Sequence, residues 1–275
     1  MASTGIYWFS GTGNTLHAAR EIQKGLSDAE MVPVCAYLQQ ETIEIPYETV
    51  ILVYPTHLMT VPYPVRQFLL KADFTKVRII YAVTTCLGIK NISDAAINRI
   101  LSCQGKRVDA IFIIVMTSNS PTGVRPGRGD TKWKYHITDE NIQKREENVV
   151  QTVPRIVLSV QNGKAHPRKI GLLEIMLERL MTRLTRNASV TLRYYADATC
   201  TSCGVCERIC PSGRITMEDG RPAWNAAIKC YYCYACFNYC PHQSILLPNY
   251  TEKNGRYHHP AVSAADIASQ KDMPC

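Results

Sequence analysis

Eight cysteines recur at fixed intervals in the last third of the chain. The stretch CTSCGVCERICP, residues 200–211, returns as CYYCYACFNYCP, residues 230–241. Thiolates at such short spacing can converge on one metal centre, and this cysteine usage in a chain with no recognisable secretory signal favours metal chemistry over disulfides. Two structural zinc sites are the alternative, because Cys-x-x-Cys suits tetrahedral zinc. Zinc, however, requires neither a third cysteine at this interval nor the Cys-Pro pair that ends each copy.

The spacing resembles that of bacterial ferredoxins, in which three cysteines of one copy and the fourth cysteine of the other hold one 4Fe-4S cluster. The resemblance implies two ligand sets, one of Cys200, Cys203, Cys206 and Cys240, the other of Cys230, Cys233, Cys236 and Cys210. The following residues agree, since CPSGRITM aligns with CPHQSILL and each has an isoleucine at the same step. We therefore expect a pseudo-symmetric module with two 4Fe-4S clusters.

A second group of residues suits phosphate binding. The stretch FSGTGNTLHAAREI, residues 9–22, places two glycines and three hydroxyl side chains between a predicted strand and a predicted helix. Backbone N–H groups at a helix N-terminus favour an anion. The dinucleotide fingerprint is incomplete, because Leu16 stands at the third glycine position and no acidic residue ends the second strand, which argues against NAD. The alternative is a hydroxyl-rich turn that binds nothing.

This loop resembles the phosphate loop of flavodoxins, and the resemblance extends over about the first 160 residues. It implies FMN, with the phosphate held by Ser10, Gly11, Thr12, Gly13, Asn14 and Thr15. Two later strand ends would complete the flavin site, because ligands bind outside the carboxyl ends of such sheets. Their residues are Pro55, Thr56, His57 and Leu58 in the first loop, and Thr84, Thr85, Cys86 and Gly88 in the second.

Aromatic residues that could stack on a flavin ring occur in only one of these two loops. The first loop offers Tyr54, His57 and Tyr63, whereas the second has no aromatic residue between Thr84 and Asn91. Cys86 could lie against the ring, although a small buried apolar residue is the simpler interpretation. Trp133 could act as a lid or as a surface anchor.

The elements that must position these loops alternate in type. Strands are predicted at 5–10, 31–37, 48–54, 77–84 and 108–116, and helices begin near Asn14, Tyr63 and Asn91. Continuous apolar strands separated by helices indicate a parallel sheet covered on both faces. A further helix at 138–162 would close the sheet. The predicted fold class is therefore α/β, a flavodoxin-like doubly wound five-stranded parallel sheet, plus a small α+β two-cluster ferredoxin domain.

The expected domain organisation is a flavodoxin-like domain at 1–165, a linker helix at 166–192, a ferredoxin-like domain at 193–250 and a C-terminal tail at 251–275. The linker region carries a stripe of Leu and Met with arginines opposite. Packing of this helix between the two domains is the favoured interpretation. A basic helix lying on a membrane surface is the alternative.

Composition restricts the class of protein. The chain has 275 residues, 46% of them hydrophobic, and a net charge of +8 whose excess lies in the middle of the sequence. Nucleic-acid binding is not expected, because no recognition motif accompanies the charge. The N-terminal sequence is unlike a secretory signal and the longest apolar run is too short for a transmembrane segment, so we expect cytoplasmic residence. The sequence gives no indication of oligomeric state.

Taken end to end, the chain resembles the flavodoxin–ferredoxin fusion proteins sometimes called the EFR family. The resemblance implies electron transfer between two 4Fe-4S clusters and FMN, exchanged with a redox partner protein, either a ferredoxin-type donor or an acceptor reductase. Arg125, Arg128, Lys132 and Lys134 could attract an acidic partner. The alternative function is an FMN-dependent reductase of a small molecule, fed through its own clusters, with His57 as the candidate proton donor.

Overall fold

A parallel sheet of five strands forms the N-terminal half of the protein. The computed structural model describes residues 3–57, 59–88, 92–117, 119, 137–188, 192–248 and 255–273, and for 184–188 only the backbone. In chain order the strands of this half are β1 (Thr4–Trp8), β2 (Ala29–Pro33), β3 (Ile43–Glu44), β4 (Thr49–Pro55), β5 (Ala72–Asp73), β6 (Ile79–Cys86) and β7 (Ala110–Val115). The helices are α1 (Asn14–Lys24), α2 (Tyr63–Lys71), α3 (Ser93–Leu101), α4 (Asp139–Gln161) and α5 (Leu172–Ala188).

The sheet order is β2-β1-β4-β6-β7, with every neighbouring pair parallel, and β3 and β5 form a separate short pair. The crossover from β1 to β2 runs towards one edge of the sheet, and those from β4 to β6 and from β6 to β7 run towards the other edge. Because such crossovers are right-handed, α1 lies on the opposite face of the sheet from α2 and α3. Side chains along β1 and β4 are therefore buried on both faces, as their continuous apolar sequences predict. The structure confirms the predicted flavodoxin-like α/β fold class.

One strand prediction was wrong in its second half. The predicted strand 31–37 ends at Pro33, and the following residues Val34–Tyr37 form a 3-10 helix. Proline at this point has no N–H to donate to a ladder, and the edge position of β2 leaves nothing on its outer side to extend the pairing. The predicted helix at 138–162 is α4, with Thr138 as its N-cap accepting a hydrogen bond from the Asn141 N–H.

The favoured interpretation of the linker helix was also wrong. α5 packs against α3. Within the described residues its apolar stripe is exposed and is not covered by a second domain. The exposed fractions of Leu172, Leu173, Met176 and Leu180 run from 51 to 77%. Residues 166–170, which were included in the predicted helix, precede its first turn.

The C-terminal domain is small and repeats one pattern. It contains β8 (Tyr195–Ala196), α6 (Val205–Arg208), β9 (Ile215–Glu218), β10 (Arg221–Trp224), α7 (Ala235–Asn238) and β11 (Ile245–Leu246). β8 pairs with β11 and β9 pairs with β10, both antiparallel. Left-handed backbone recurs at the same three steps of the two cysteine copies, at Ser202 and Tyr232, Gly204 and Tyr234, and Gly213 and Gln243. Both copies therefore follow the same path, although only two of these six residues are glycine.

The segment 255–273 returns to the N-terminal domain. Its short helix α8 (Ala264–Ala268) begins with a capping box of Ser263 and Asp266. Val262 and Ile267 are fully buried in the same hydrophobic core as the sheet, and so are Ala235 and Tyr239 of the C-terminal domain. We call residues 255–273 the C-terminal segment. Although it falls within the expected C-terminal tail at 251–275, it is part of the packed structure.

Candidate functional site

The loop Ser10–Thr15 joins β1 to α1, as predicted. Gly13 is the residue before the helix and has a φ of 98°, a left-handed conformation that favours glycine. Its N–H donates to Ser10 Oγ at 3.2 Å. No side chain caps the N-terminus of α1, although Asn14, Thr15 and Leu16 are buried there. A buried helix N-terminus without a side-chain cap retains backbone donors and a positive dipole end that suit an anion.

The C-terminal segment covers this loop. Gln270, fully buried, donates from Nε2 to the Ser10 carbonyl at 3.1 Å and accepts from the Ser10 N–H at 3.4 Å. The His259 N–H donates to the Thr12 carbonyl at 2.8 Å, and the Tyr257 hydroxyl donates to Asn14 Oδ1 at 2.8 Å. The loop residues are therefore enclosed by residues 243 to 260 positions away in the sequence.

The other two predicted loops lie beside the first. Thr15 Oγ1 and Thr85 Oγ1 share a hydrogen bond of 2.8 Å, and Thr56 Oγ1 and Thr84 Oγ1 share one of 2.7 Å. Gly88 has a φ of 99°. The structure thus brings the three predicted segments together at the carboxyl edge of the sheet, which is where such folds bind ligands. Leu58, Asn91 and the basic loop residues Arg125, Arg128, Lys132, Trp133 and Lys134 lie outside the described residues.

The aromatic candidates separate into different roles. Tyr54 is fully buried and shares a hydrogen bond of 2.8 Å with Ser93 Oγ, so it belongs to the core and cannot stack on a ligand. The His57 ring meets Phe9 edge to face, with centroids 6.2 Å apart. Burial lowers the pKa of His57 to about 4, which keeps its imidazole neutral near pH 7. Burial raises the pKa of the Cys86 thiol, in keeping with the interpretation of Cys86 as a small apolar residue.

Tyr63 faces the C-terminal domain. Its ring lies 5.7 Å from that of Tyr231, and the Lys229 ammonium lies 4.3 Å from the Tyr63 centroid. Tyr231 also meets Phe9, with centroids 6.5 Å apart. Sequence reasoning missed Tyr231, because a tyrosine inside a cysteine repeat carries no local signal that it packs on another domain.

Four of the eight repeat cysteines line one cavity. We call Cys200, Cys203, Cys206 and Cys240 the outer set, because Cys203 is exposed and the others range from half-buried to buried. Val205, Met217, Pro222 and Ile245 supply an apolar wall. The Ser244 N–H donates to Cys240 Sγ at 3.2 Å, the kind of amide-to-sulfur bond that tunes iron–sulfur centres. Burial raises the pKa of Cys206 to about 11, and Cys203 and Cys240 add to the shift.

The other four cysteines, Cys210, Cys230, Cys233 and Cys236, form what we call the inner set. Burial, followed by the neighbouring thiols of the same set, raises the pKa of Cys233 and of Cys236 far above the ordinary value. The Tyr232 N–H donates to Cys230 Sγ at 3.5 Å. Thiols buried this deeply ionise only where a cation compensates them, so the set suits metal ligation and not nucleophilic chemistry.

The inner set lies directly against the loop Ser10–Thr15. A Cβ added to Gly11 would stand 2.2 Å from the Cys233 carbonyl oxygen, a distance that no side chain can occupy. One added to Gly13 would stand 2.8 Å from Val262 Cβ and 2.9 Å from His259 Cβ. Gly11 therefore permits close approach of the two domains. The sequence of the phosphate loop gives no sign of this role.

Arg256 connects the C-terminal segment to the cysteine domain. Its guanidinium lies 3.3 Å from the Phe237 ring centroid and donates to the carbonyls of Phe237, Gln243 and Ile245 at 2.5 to 3.1 Å. Because this planar cation binds three carbonyls and stacks on a ring, it holds the C-terminal segment firmly against the cysteine domain. The loop, the inner set and the segment thus form one packed unit.

His17, Glu146 and His259 form a polar cluster at the edge of this unit. The two imidazoles each hydrogen-bond a different carboxylate oxygen of Glu146, and their rings stack with centroids 4.0 Å apart. The Ala261 N–H donates to His259 Nδ1 at 3.2 Å, which places the proton of that ring on Nε2. Imidazole lone pairs lie in the ring plane, so those of stacked rings run side by side and do not converge on an ion. We interpret the cluster as a hydrogen-bonded clasp.

Comparison with known families supports the assignment of the C-terminal domain. Residues 199–245 match the family model of the 4Fe-4S dicluster domain, a span that contains both cysteine sets. The chain thus carries a 4Fe-4S dicluster ferredoxin domain beside an α/β domain with a parallel sheet, and such a ferredoxin-type domain is consistent with electron transfer. The comparison with curated proteins gave no match. Throughout the described ranges, no helix is long and apolar enough to cross a membrane.

Proposed function

We propose that this protein transfers electrons between a redox partner protein and FMN by way of its two 4Fe-4S clusters. The observation that carries the proposal is the contact between Cys233 and Gly11, which sets the inner cysteines against the candidate phosphate loop. Short separations favour electron transfer between centres. A ferredoxin domain whose inner ligands touch a ligand-binding loop is therefore well placed to exchange electrons with a group bound at that loop.

The cross-ligated sets are part of this proposal. Support comes from the cavity that Cys203 and Cys240 share despite their distance in sequence, and from the effect of Cys210 on the pKa of Cys230, Cys233 and Cys236. In each case the fourth cysteine of one copy lies with the first three of the other. Each set offers four thiolates, which is the ligand number of a 4Fe-4S cluster.

The residues at the loop fit FMN at its phosphate end. The uncapped, buried start of α1 offers backbone donors, and Ser10, Thr12 and Thr15 border it. Thr56, His57, Thr84, Thr85, Cys86 and Gly88 would surround the ring. When bound, FMN supplies a carrier that exchanges electrons singly or in pairs. The chain's own contribution is to enclose the loop, since Gln270 and His259 hold the cover over it and exclude water.

The exposure of the cysteines indicates the order in which electrons would pass through the two clusters and FMN. Cys203 of the outer set is exposed, whereas Cys210, Cys233 and Cys236 are buried beside the N-terminal domain. A protein partner would therefore exchange electrons with the outer cluster, and the inner cluster would connect it to the flavin. Iron–sulfur clusters persist in reducing surroundings, which supports a cytoplasmic location.

The alternative, an FMN-dependent reductase of a small molecule, depends on a proton donor near the ring. His57 is the residue that sequence reasoning offered for that role. Its pKa of about 4 leaves it neutral at physiological pH, and a neutral imidazole is a poor general acid. The lowered pKa of His57 therefore favours electron transfer to a protein partner.

The test is cofactor analysis followed by rapid mixing. Anaerobically purified protein is expected to contain roughly eight iron and eight sulfide per chain, and to release FMN on denaturation. Reduction of the flavin by a ferredoxin-type donor should slow at least tenfold in Cys240→Ala, because the outer cluster is lost, while flavin content stays unchanged. Cys103→Ala, an exposed cysteine outside both sets, is the matched control.

Two results would overturn different parts of the proposal. Zinc in place of iron would refute the clusters, and protein with clusters but without FMN would refute the flavin. A Cys240→Ala variant that has lost half its iron but accepts electrons at the normal rate would refute the proposed route.

A further inference from the structure

α5 has inverted polarity for a helix packed on a protein. Among its described side chains, the two that are buried are polar. Glu178, with an exposed fraction of 0%, forms two hydrogen bonds of 3.0 Å with the Arg99 guanidinium of α3, and the Thr182 hydroxyl donates to Glu178 at 2.6 Å. Its outward face is apolar, with exposed fractions of 75% at Leu172, 77% at Leu173, 60% at Met176 and 51% at Leu180. An exposed apolar face of this kind usually marks an interaction surface.

The four apolar residues lie on one side of the helix. With about 100° of rotation per residue, they fall within a single arc about 100° wide. Arg179 and Arg183, both exposed, lie at one edge of the same arc. We call these six residues the α5 face. Both side chains with a negative charge on the described part of α5 are paired within the protein, Glu174 with Arg168 and Glu178 with Arg99. The α5 face therefore presents cations and apolar groups together.

We propose that the α5 face binds the surface of a membrane that contains anionic lipids. The helix would lie in the interfacial plane, with the apolar side chains among the acyl chains and the arginines beside lipid phosphates. The charge pattern argues against a second copy of this chain, because a symmetric pair of α5 faces would bring arginines together with no described acidic group to meet them. α5 contacts α3 through its other side, and the α5 face points away from that contact.

The experiment is vesicle flotation of the full holoprotein. Vesicles of phosphatidylcholine alone are compared with vesicles in which roughly one third of the lipid is phosphatidylserine, at low and high salt. The unaltered protein is expected to float with the anionic vesicles only, and less so at high salt. The double variant Leu173→Gln with Met176→Gln should reduce the bound fraction at least tenfold, and Arg179→Gln with Arg183→Gln should remove the preference for anionic lipid.

The matched control is the double variant Val150→Gln with Leu158→Gln, which removes two exposed apolar residues of α4. It should bind as the unaltered protein does. All substituted side chains are exposed, so cluster absorbance and thermal stability should be unchanged. Absence of binding to anionic vesicles, equal binding by the Leu173 and Met176 variant, or a dimer in solution that this variant abolishes would each overturn the proposal. None of these outcomes depends on flavin content.

Discussion

At the scale of single residues, the sequence reveals the role of some cysteines and not of others. The repeat cysteines could be recognised as metal ligands from sequence because their spacing is strict, whereas the position of Cys35 could not be predicted. Cys35 is buried near Cys210 and Cys233, and burial followed by those two thiols raises its pKa well above the ordinary value. It stands beside the inner set but belongs to the N-terminal domain. Nothing in the sequence around Cys35 indicates this position, because the contact is made across the domain boundary.

Cys210→Ala should damage the inner cluster and spare the outer one. Cys210 adds to the raised pKa of Cys233 and Cys236, so we expect it to share their set, although Cys200, Cys203 and Cys206 are nearer in sequence. Iron is expected to fall to roughly half. Alkylation of the native protein, read by mass spectrometry, should then label the inner cysteines. Cys240→Ala is the reciprocal variant and should expose the cysteines of the outer set to alkylation. Labelling of Cys200, Cys203 and Cys206 in the Cys210 variant would contradict the crossed sets.

Glu146→Gln should loosen the C-terminal segment. Hydrogen bonds from His17 and then His259 lower the pKa of Glu146 to about 2, from an unperturbed value of 4.5. A carboxylate with a depressed pKa stabilises the folded state fully above its unfolded pKa, and that contribution is lost as pH falls from about 4.5 towards 2. The variant should therefore lose about 1 kcal/mol of stability at pH 6, after allowance for the exposure of the pair, and its difference from the unaltered protein should shrink as pH falls below about 4.5.

Hydrogen exchange of the His259 amide measures this effect, because that N–H reports docking of the segment on Thr12. Exchange should be faster in Glu146→Gln than in Glu147→Gln, a neighbouring exposed position. A destabilisation that did not diminish as pH fell from about 4.5 towards 2 would show that the Glu146 carboxylate does not control the clasp.

At the scale of elements, sequence periodicity predicted the type and order of the helices and strands well. It did not predict which face of a helix packs on the protein. The five strands and the helices beginning at Asn14 and Tyr63 were predictable, because buried parallel strands read as continuous apolar runs. The amphipathic pattern of α5 predicted a helix with one apolar face. It could not predict which face meets the protein, because the ion pair of Glu178 with Arg99 depends on a residue 79 positions away.

Gly11→Ala tests the contact between elements. The added Cβ would stand 2.2 Å from the Cys233 carbonyl, so loop and cysteine domain must separate. Overpacking of this kind costs about 1–3 kcal/mol, and we expect lower thermal stability together with loss of the proposed FMN. Gly171→Ala is the control, since its Cβ would meet only Glu174, at 4.0 Å. A Gly11→Ala protein as stable as the control would show that the two elements are not held at this distance.

At the scale of the whole molecule, long-range contacts complete the candidate site. The sequence locates the loop Ser10–Thr15 and the cysteine repeats separately, each by a local pattern. The cover formed by Tyr257, His259 and Gln270 has no such pattern, because a buried glutamine that pairs with a distant backbone resembles any polar residue in a linear sequence. Sequence therefore predicts the parts of the site, and tertiary packing determines that they form one enclosed unit.

The cover of the loop has a consequence for biosynthesis. Ser10 and Gln270 are separated by 260 positions. At a synthesis rate of about 5–20 residues per second, roughly 13 to 52 s pass between their appearance on the ribosome. During that interval β1, α1 and the rest of the sheet can fold while the loop remains open to solvent. Any group that belongs beneath the C-terminal segment can therefore enter before translation of that segment closes the entrance, and need not wait for the finished protein to reopen.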